Sequence, residues 1–387
     1  MRVLYHHRTA GRNVEGVHIR GVVGALRELG HEVRVLSFPG ADPEHEPEGS
    51  REPRKGLLAR LATRLPGVFF ELAELAYNLV TLWRMPRVLG EFRPDFIYER
   101  YSLFLFATVW LARRRGIPVI LEINDSAVVE RVRPLYLRPL ARRIERWCLT
   151  RVTGLVFIST HFQQLLTAHY GDLPPSVVSP NAVDARFDPG RHDRDALRRR
   201  HGLEGRVVCG HIGAFAYWHG LPAFVSAMLD RLDEFPALTL LLVGDGADLP
   251  AVRREVKARG LEDRVRLPGR VAHHTIPEWI ACMDYAFLPD SNEYGSPMKL
   301  FELMAMGVAV VAPDYDPVSE VVVDGDTGWL FPRKQIGACI ERVLALAGQP
   351  PERARVGAGA RAYVERERRW RNNAEQMLSL LPGAGTR

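Results

Sequence analysis

The stretch RVLYHHRTAGRNVEGVHIRGVVGALRELGHEVRVLSF, residues 2–38, carries the first evidence of the fold. Its first six residues and its last eight, 31–38, have the apolar character of β-strands. Between them, apolar residues recur at helical spacing through 17–29, and Gly30 supplies a stop signal. A strand, a helix and a second strand in this order form the unit from which parallel sheets are built, so the stretch predicts an α/β fold.

The same alternation of strand and helix patterns continues along the 387 residues. Further strand patterns occur in the first half at 95–100, 118–124 and 154–159. A second series begins near residue 205, with strand patterns at 206–215, 238–246, 264–271, 285–290, 308–314 and 327–331. The sequence therefore predicts two doubly wound, Rossmann-like α/β domains. Ligands are expected at the carboxyl ends of the strands and in the cleft between the two domains.

A loop-rich connector separates the two series. We place the first domain at 1–180, the connector at 181–205 and the second domain at 206–362. The final segment, 363–387, is expected to form a helix that returns to the first domain. A polar insert rich in proline and glutamate, 39–56, predicts a mobile loop.

The composition is that of an ordinary soluble protein, 47% hydrophobic and 25% charged. Four scattered cysteines include no C-x-x-C pair, which predicts reduced thiols in a cytoplasmic protein. The first residues lack the apolar core of a signal peptide. The most apolar stretch, 65–83, is interrupted by Pro66, Glu71 and Glu74, which argues against a membrane span. We expect a cytoplasmic protein that could also act at the inner face of the membrane.

The net charge of +6 suits an acidic partner, and it is concentrated in residues 131–151. No nucleic-acid-binding motif accompanies it, so we expect no nucleic-acid partner. Four apolar residues at helical spacing alternate there with four arginines: Leu137, Leu140, Ile144 and Trp147, with Arg138, Arg142, Arg143 and Arg146. One interpretation is a basic amphipathic helix on an anionic membrane. The other, which we favour, packs the apolar face into the core and leaves the arginines in solvent.

The stretch EYGSPMKLFELMAMG, residues 293–307, raises a separate question, because it places a glutamate in an apolar helix. Ser296 is predicted to cap a helix that begins at Pro297 and is closed by Gly307. The start of such a helix is a ready phosphate site, which would give Lys299 a partner. Glu302 is either an exposed acid or an acceptor for ligand hydroxyls, and this stretch alone leaves the two open.

Several motifs, taken together, resemble those of a known protein family. In order, they are EGVHIRGVVGALRELGHEVRVLS, PDFIYERYSLF, VSPNAVDARFDP, IGAFAYWHG, LLLVGDGADL, RVRLPGRVAHHTIPEWIACMDYAFLP and EYGSPMKLFELMAMGVAVVAPDYDPVSEVVVDGDTGWLF. They resemble the family-4 retaining glycosyltransferases, which have the GT-B fold of two Rossmann-like domains facing across a cleft. The resemblance covers nearly the whole chain and is most specific at residues 290–331.

The resemblance implies a nucleotide-sugar site in the second domain. Glu302 would bind the ribose hydroxyls, and Lys299 would lie near the diphosphate. Backbone N–H groups of the loop would hold the sugar and the diphosphate. The complete set of expected donor-binding residues is Gly213, Arg270, Val271, Glu293, Gly295, Ser296, Pro297, Met298, Lys299, Leu300 and Glu302, with the nucleobase beside Arg270 and Val271. The expected donor is UDP- or GDP-linked, and no cofactor is expected besides this substrate.

The sequence also departs from the pattern of that family. A motif glutamate that contacts sugar hydroxyls is replaced by Tyr294, with Glu293 one residue early. The arginine and lysine that often hold the diphosphate are replaced by Ala214 and His219. We expect His219 to donate to phosphate. A cleft histidine often taken as catalytic is replaced by Asn124.

The implied reaction is a retaining transfer by front-face attack, in which protein groups mainly position the substrates and neutralise charge. We expect Asn124, His219 and Lys299 to take part. In the first domain, His6, Arg8, Gly16 and His18 are expected to contact the acceptor. That acceptor would be lipid-linked, a saccharide or a small molecule from envelope, glycolipid or natural-product biosynthesis.

Two alternatives are a nucleotide-sugar epimerase of the same fold and a non-catalytic subunit that binds a sugar nucleotide. The acidic sequences at 314–316 and 324–326 are interpreted as turn residues. We therefore expect no essential metal.

Overall fold

A computed structural model of the protein describes residues 1–9, 11, 14–41, 44, 67–129 and 134–383. Its internal contacts divide the chain into two compact units. Unit 1 comprises Met1–Pro180 and Trp370–Arg387, and unit 2 comprises Asn181–Arg369.

Unit 1 is a six-stranded, fully parallel sheet with helices. Its strands are β1 (Arg2–His6), β2 (Glu32–Leu36), β3 (Phe96–Arg100), β4 (Val119–Ile123), β5 (Gly154–Phe157) and β6 (Ser176–Val178). Its helices are α1 (Val14–Glu28), α2 (Gly67–Phe92), α3 (Ala107–Arg114), α4 (Arg138–Leu149), α5 (Thr160–Tyr170) and, from the end of the chain, α14 (Trp370–Leu378). The strand order is β2-β1-β3-β4-β5-β6. This confirms the five predicted strands and adds β6, for which the sequence analysis predicted no strand.

Unit 2 contains a second six-stranded parallel sheet. Its strands are β7 (Val207–Ile212), β8 (Leu238–Val243), β9 (Val265–Gly269), β10 (Tyr285–Phe287), β11 (Val310–Pro313) and β12 (Trp329–Phe331). Its helices are α6 (Arg194–His201), α7 (Leu221–Leu229), α8 (Leu249–Ala258), α9 (Ile276–Ala281), α10 (Met298–Ala305), α11 (Asp316–Ser319), α12 (Ile336–Ala347) and α13 (Pro350–Glu367). The strand order is β12-β11-β10-β7-β8-β9. The chain adds strands on one side of β7 as far as β9 and then continues with β10 on the other side of β7, although all the strands are parallel. Doubly wound sheets bind ligands at such a reversal, beyond the carboxyl ends of the strands.

The end of the chain packs in unit 1 as a close contact between α1 and α14. A Cβ atom on Gly21 would lie 2.2 Å from Cε2 of Trp370, so glycine lets the two helices approach. Asn373 donates to the carbonyl of Pro180 at 2.8 Å. The returning segment begins at Trp370 rather than at residue 363, because α13 still belongs to unit 2.

The segment 181–205, predicted to be a connector, is part of unit 2. Arg194 donates to the carboxylate of Asp284 at 2.6 Å. Arg198 donates to the same carboxylate and to the carbonyl of Cys282. These bonds tie α6 to the residues that precede β10, so the segment predicted to be a connector packs as part of unit 2.

Helix α4 forms within the basic stretch, but its buried face is not the predicted one. The side chains that enter the core are Ala141, Glu145, Cys148 and Leu149. Of the four apolar residues predicted to face the core, Leu140 is exposed, and Leu137, Ile144 and Trp147 are only partly buried. The predicted face is therefore not the one that is fully buried.

Within the described residues, no helix has the length and apolar character needed to cross a membrane. The predicted mobile loop at 39–56 lies almost entirely outside the described residues and stays a prediction.

Candidate active site

The loop and helix that follow β10 form the centre of the candidate site. Helix α10 begins at Met298, one residue later than predicted, and Pro297 precedes it in an extended conformation. Ser296 does not cap the helix. Its hydroxyl accepts from the backbone N–H of Asn181 at 3.0 Å, and its carbonyl accepts from the Asn181 amide at 2.6 Å. Ser296 therefore anchors the start of unit 2 against this loop.

The end of α10 agrees with its prediction. Gly307 has a φ of 72°, the left-handed conformation that closes a helix. Leu300, Phe301 and Leu303 are buried beneath it. The apolar packing fixes the rotation of the helix and so determines where its polar side chains lie.

Glu302 is buried, and it has a specific partner. Its carboxylate Oε1 lies 2.8 Å from Nε2 of His273, which follows β9 in a short helical turn. The sequence analysis gave His273 no role, because a contact across 29 residues leaves no local pattern. The interpretation of Glu302 as an exposed acid is therefore wrong, while its role towards a ligand stays a prediction.

Lys299 lies across the strand reversal, against the loop that follows β7. A Cβ atom on Gly213 would lie 2.8 Å from the Lys299 amine, and Gly213 has a φ of 126° that favours glycine. The amine is 3.3 Å from Nε2 of His219. Lys299, His219 and Gly213, which are far apart in sequence, thus meet at one point.

Burial determines the charges of the Lys299 amine and the His219 imidazole. Burial lowers the pKa of Lys299 to about 7, although the Glu302 carboxylate acts in the opposite direction. Burial and the neighbouring Lys299 lower the pKa of His219 to about 4. A neutral His219 donates from Nδ1 to the carbonyl of Asp290 at 3.4 Å and accepts from Lys299 at Nε2. Both of its ring nitrogens are thus engaged within the protein, and its donation to phosphate stays a prediction.

A further histidine, His211, lies beneath this pair. It is fully buried on β7, and its Nδ1 donates to the carbonyl of Phe287 at 3.1 Å. Its ring centre is 6.3 Å from that of His219. Burial and Lys299 hold its pKa well below the ordinary value, so it is a neutral part of the floor. The sequence analysis gave it no role, because a single histidine within an apolar strand is an ambiguous signal.

Glycines allow the loops after β7 and β8 to interlock. A Cβ atom on Gly244 would lie 1.8 Å from the carbonyl oxygen of Gly213, and one on Gly246 would lie 2.3 Å from that of Phe215. Phe215 donates its N–H to the carbonyl of Asp245 at 2.9 Å. This contact fixes the backbone on which Lys299 rests.

The other residues predicted to bind the donor lie in the loops after β9 and β10. Arg270 is exposed, and Val271 is partly buried. Glu293 is exposed with its carboxylate 4.0 Å from the Lys334 amine. The N–H of Gly295 donates to the side chain of Asn292, so this group is engaged within the loop.

The predicted acceptor residues of unit 1 are held in buried polar networks. His6 lies 2.5 Å from the carboxylate of Glu99. Arg8 donates to the Glu74 carboxylate at 2.9 Å and so fastens α2. A Cβ atom on Gly16 would overlap the carbonyl of Gly11, which makes Gly16 a close-approach position.

The strongest network in unit 1 surrounds Glu122. Its carboxylate accepts from Nε2 of His18, the Tyr98 hydroxyl and the Arg100 guanidinium, each at 2.8 Å, and from Asn124 at 3.4 Å. Burial alone would raise the pKa of Glu122, but His18 and Arg100 lower it to about 2. Asn124 is therefore an outer member of an ionised cluster, and its catalytic role stays a prediction.

No group of three or more potential metal ligands occurs among the residues that the structure describes.

Two family models match the chain, one in each half. Residues 15–182 match a glycosyl transferase 4-like domain, and residues 206–349 match the group 1 glycosyl transferases. The fold of two parallel Rossmann-like sheets and these two matches define the class. The chain belongs to the family-4 type of glycosyltransferases, enzymes with the GT-B fold.

The chain is also similar to characterised enzymes. It is 28% identical to a 2-deoxystreptamine glucosyltransferase from Streptomyces kanamyceticus, over 72% of this chain and 75% of the relative. It is 24% identical to a GDP-mannose-dependent alpha-(1-6)-phosphatidylinositol monomannoside mannosyltransferase from Mycolicibacterium smegmatis, over 78% of this chain and 79% of the relative. The two names differ in the acceptor that they state.

A solved structure supports the fold. A sucrose-phosphate synthase from Thermosynechococcus elongatus superposes with a TM-score of 0.73 at 16% identity, covering 98% of each chain.

Proposed function

We propose that the enzyme is a retaining glycosyltransferase that moves a sugar from a nucleotide-diphosphate sugar to an acceptor hydroxyl. The observation that carries this proposal is the meeting of Lys299 and His219 over Gly213 at the strand reversal of unit 2. An amine at that point, beside the first turn of α10, suits a diphosphate. Glu302, one turn further along, suits the ribose hydroxyls.

Lys299 would contribute most when the leaving group develops negative charge. In a front-face transfer, the bond from the anomeric carbon to the diphosphate breaks while the acceptor oxygen bonds to the same face of that carbon. The acceptor proton passes to the leaving phosphate oxygen. Lys299 stabilises that phosphate, while His219, held by Asp290, orients the amine rather than moving the proton. No protein nucleophile is needed for this course.

The Glu302–His273 contact would prepare the donor site for a ribose. One carboxylate oxygen of Glu302 is oriented by His273, which fixes the plane of the group before a ligand arrives. A carboxylate with a fixed plane can accept from two neighbouring hydroxyls. Arg270 and Val271, at the end of β9, would then lie on the nucleobase side.

The donor nucleotide is proposed to be UDP or GDP, and the acceptor a lipid-linked, saccharide or small-molecule alcohol. The relatives support this range of acceptors, since one name gives 2-deoxystreptamine and another a phosphatidylinositol mannoside. The predicted acceptor residues His6 and His18 would act by holding the frame of unit 1, because both are buried.

A thermal-shift screen against UDP, GDP, ADP, TDP and their common sugar conjugates tests the donor site first. We expect one nucleotide series to raise the melting temperature of the enzyme. In the Lys299→Met variant, the share of this rise that comes from the diphosphate should be lost. NMR of the glycoside formed from the responding donor then gives the anomeric configuration. An inverted product would refute the retaining course, and a converted donor sugar without acceptor would show an epimerase. A silent screen would argue against the donor site itself.

A further inference from the structure

Over residues 67–83, helix α2 has an inverted pattern of burial. In this part its core-facing side carries Glu71, Asn78 and Thr81 beside Tyr77, all buried, whereas further along the helix Met85, Leu89 and Phe92 are buried in the usual way. Its outer side exposes Leu79 to 69% and Trp83 to 81%. A helix on a protein surface ordinarily shows the opposite arrangement. The inversion means that a large apolar surface is left uncovered.

The rotation of α2 is fixed by hydrogen bonds to its buried polar side chains. The Asn78 amide donates to the carbonyl of Phe104 at 2.8 Å and accepts from the N–H groups of Phe106 and Ala107 at 2.9 Å. The Glu71 carboxylate accepts from the N–H groups at residues 136 and 137, at 2.7 and 2.6 Å. The helix therefore cannot turn its apolar side inward without leaving these buried groups unsatisfied.

The exposed apolar residues lie along one line. Phe69, Leu72, Leu79 and Trp83, here called the apolar stripe, are all exposed. At 100° per residue they fall within an arc of about 80°, and they span about 21 Å of helix. A continuous stripe of this kind, with an aromatic residue at each end, is typical of a contact surface rather than of scattered surface residues.

The start of α4 lies against the start of α2. A Cβ atom on Gly67 would lie 2.5 Å from Cε2 of Tyr136, so the two segments touch. Tyr136 is 59% exposed, and Leu140, in the first turn of α4, is also exposed. The bond from Glu71 to the backbone at residue 136 holds this junction in place.

Positive charge occupies the remainder of α4. A groove of about 620 Å³ is lined by Arg142, Arg143, Arg146 and Arg151, with Trp147 among them. None of these four arginines forms an ion pair with a carboxylate of the described residues. Glu145, on the same helix, is buried on the other side and accepts from the Ser126 hydroxyl. As far as the structure describes the chain, the groove is thus a concentrated positive site without a paired carboxylate.

We propose that the apolar stripe and the arginine groove together form a docking surface for an anionic lipid bilayer. This inference goes beyond sugar transfer and concerns a different part of the molecule from the donor site. The stripe would enter the headgroup region, and the arginines would bind lipid phosphates. A symmetric dimer through the same surface would set the arginines of one copy against the apolar stripe or the arginines of its partner, and neither supplies a negative counter-charge. The charge therefore favours an anionic surface.

Vesicle flotation of the full chain tests the proposal. We expect binding to vesicles of phosphatidylcholine with 30% phosphatidylglycerol and weak binding to phosphatidylcholine alone. The double variant Leu79→Ser/Trp83→Ser should lower partitioning on the order of a hundredfold, since each large side chain contributes about tenfold or more. Arg143→Gln/Arg146→Gln should lower binding to the anionic vesicles about fivefold per arginine and reduce its salt dependence.

Matched controls come from the exposed surface of unit 2. Val323→Ser removes an exposed apolar side chain, and Arg254→Gln/Arg342→Gln removes two exposed arginines, so these variants should bind vesicles as the parent does. Equal loss in the control and test variants would overturn the proposal. So would absence of binding to the anionic vesicles; a dimer, seen by light scattering, that Leu79→Ser/Trp83→Ser dissociates would then assign the apolar stripe to a second copy of the chain. An unchanged melting temperature and nucleotide response show that a variant is folded and keep this result separate from the test of the donor site.

Discussion

The protonation of Lys299 should make donor binding depend on pH near neutrality. Without a ligand, burial lowers the pKa of this lysine to about 7, far below its ordinary 10.5. A diphosphate binds the protonated amine more tightly than the neutral one, so binding takes up a proton. The lysine is about 9% protonated at pH 8 and about 91% at pH 6. Affinity should therefore rise about tenfold between these values, or about 1.4 kcal/mol.

Isothermal titration calorimetry of the responding nucleotide sugar, at pH 6, 7 and 8, measures this dependence. The intact sugar diphosphate has no group that titrates in this range, so the slope reports on the protein. His219, whose pKa is lowered to about 4, adds a second proton only at lower pH. At pH 7, titrations in buffers of different ionisation enthalpy should show uptake of about half a proton per site.

Lys299→Arg is the matched variant, because a guanidinium stays charged throughout the range. It should bind with an affinity independent of pH and with no proton uptake. An affinity in the parent enzyme that is flat from pH 6 to 8, with heats independent of the buffer, would refute the reasoning even if the nucleotide binds well. A variant that keeps the slope of the parent would assign the proton to another group.

The remaining predictions concern three other positions. Glu302→Gln should weaken the binding of a nucleoside diphosphate on the order of 10- to 100-fold, measured by calorimetry, because hydrogen bonds to a charged acceptor are lost. An unchanged affinity would exclude the ribose role of Glu302. Gly213→Ala should lower the melting temperature and weaken nucleotide binding, because the φ of 126° at Gly213 and its contact with Lys299 disfavour a side chain. A variant with the stability and the affinity of the parent would contradict this prediction. Glu122→Gln should destabilise unit 1 by about 3 kcal/mol at pH 7, measured by urea unfolding. The pKa of Glu122 is lowered to about 2 from 4.5, so its contribution is present above pH 4.5 and is lost as the pH falls towards 2; a deficit independent of pH would contradict the linkage.

Much of the fold could be predicted because its signals are local. Buried parallel strands appear as short apolar runs, and the helix stop at Gly307 follows from its left-handed conformation. Strand β6 was missed because it has only three residues, Ser176–Val178, all of them partly buried. The role of Ser296 was missed for a different reason. Its partner, Asn181, lies 115 residues away and competes with the local cap.

The buried face of α4 shows a second limit of the sequence pattern. Its spacing offers two faces, one with Leu140 and Trp147 and one with Ala141 and Glu145. Hydrophobicity predicts that the face with Leu140 and Trp147 is buried. In the structure the face with Glu145 is buried instead, because the hydroxyls of Tyr170 and Ser126 donate hydrogen bonds to its carboxylate. The periodicity of one helix does not show which hydrogen-bond donors other helices and loops will bring to its side chains. The same holds for Glu302, whose partner His273 comes from the turn after β9.

The proposed donor site would hold its cation in an unusual way. A guanidinium would carry its full charge whether or not a diphosphate were bound, and burying it would cost free energy in the empty enzyme. Lys299 can instead shed its proton onto solvent, while the neutral His219 still accommodates the amine and Gly213 leaves room for its stem. In the proposed site, an arriving diphosphate would restore the proton and so create its own counter-charge. Lys299 beside a neutral His219 would thus couple affinity for the donor to proton uptake.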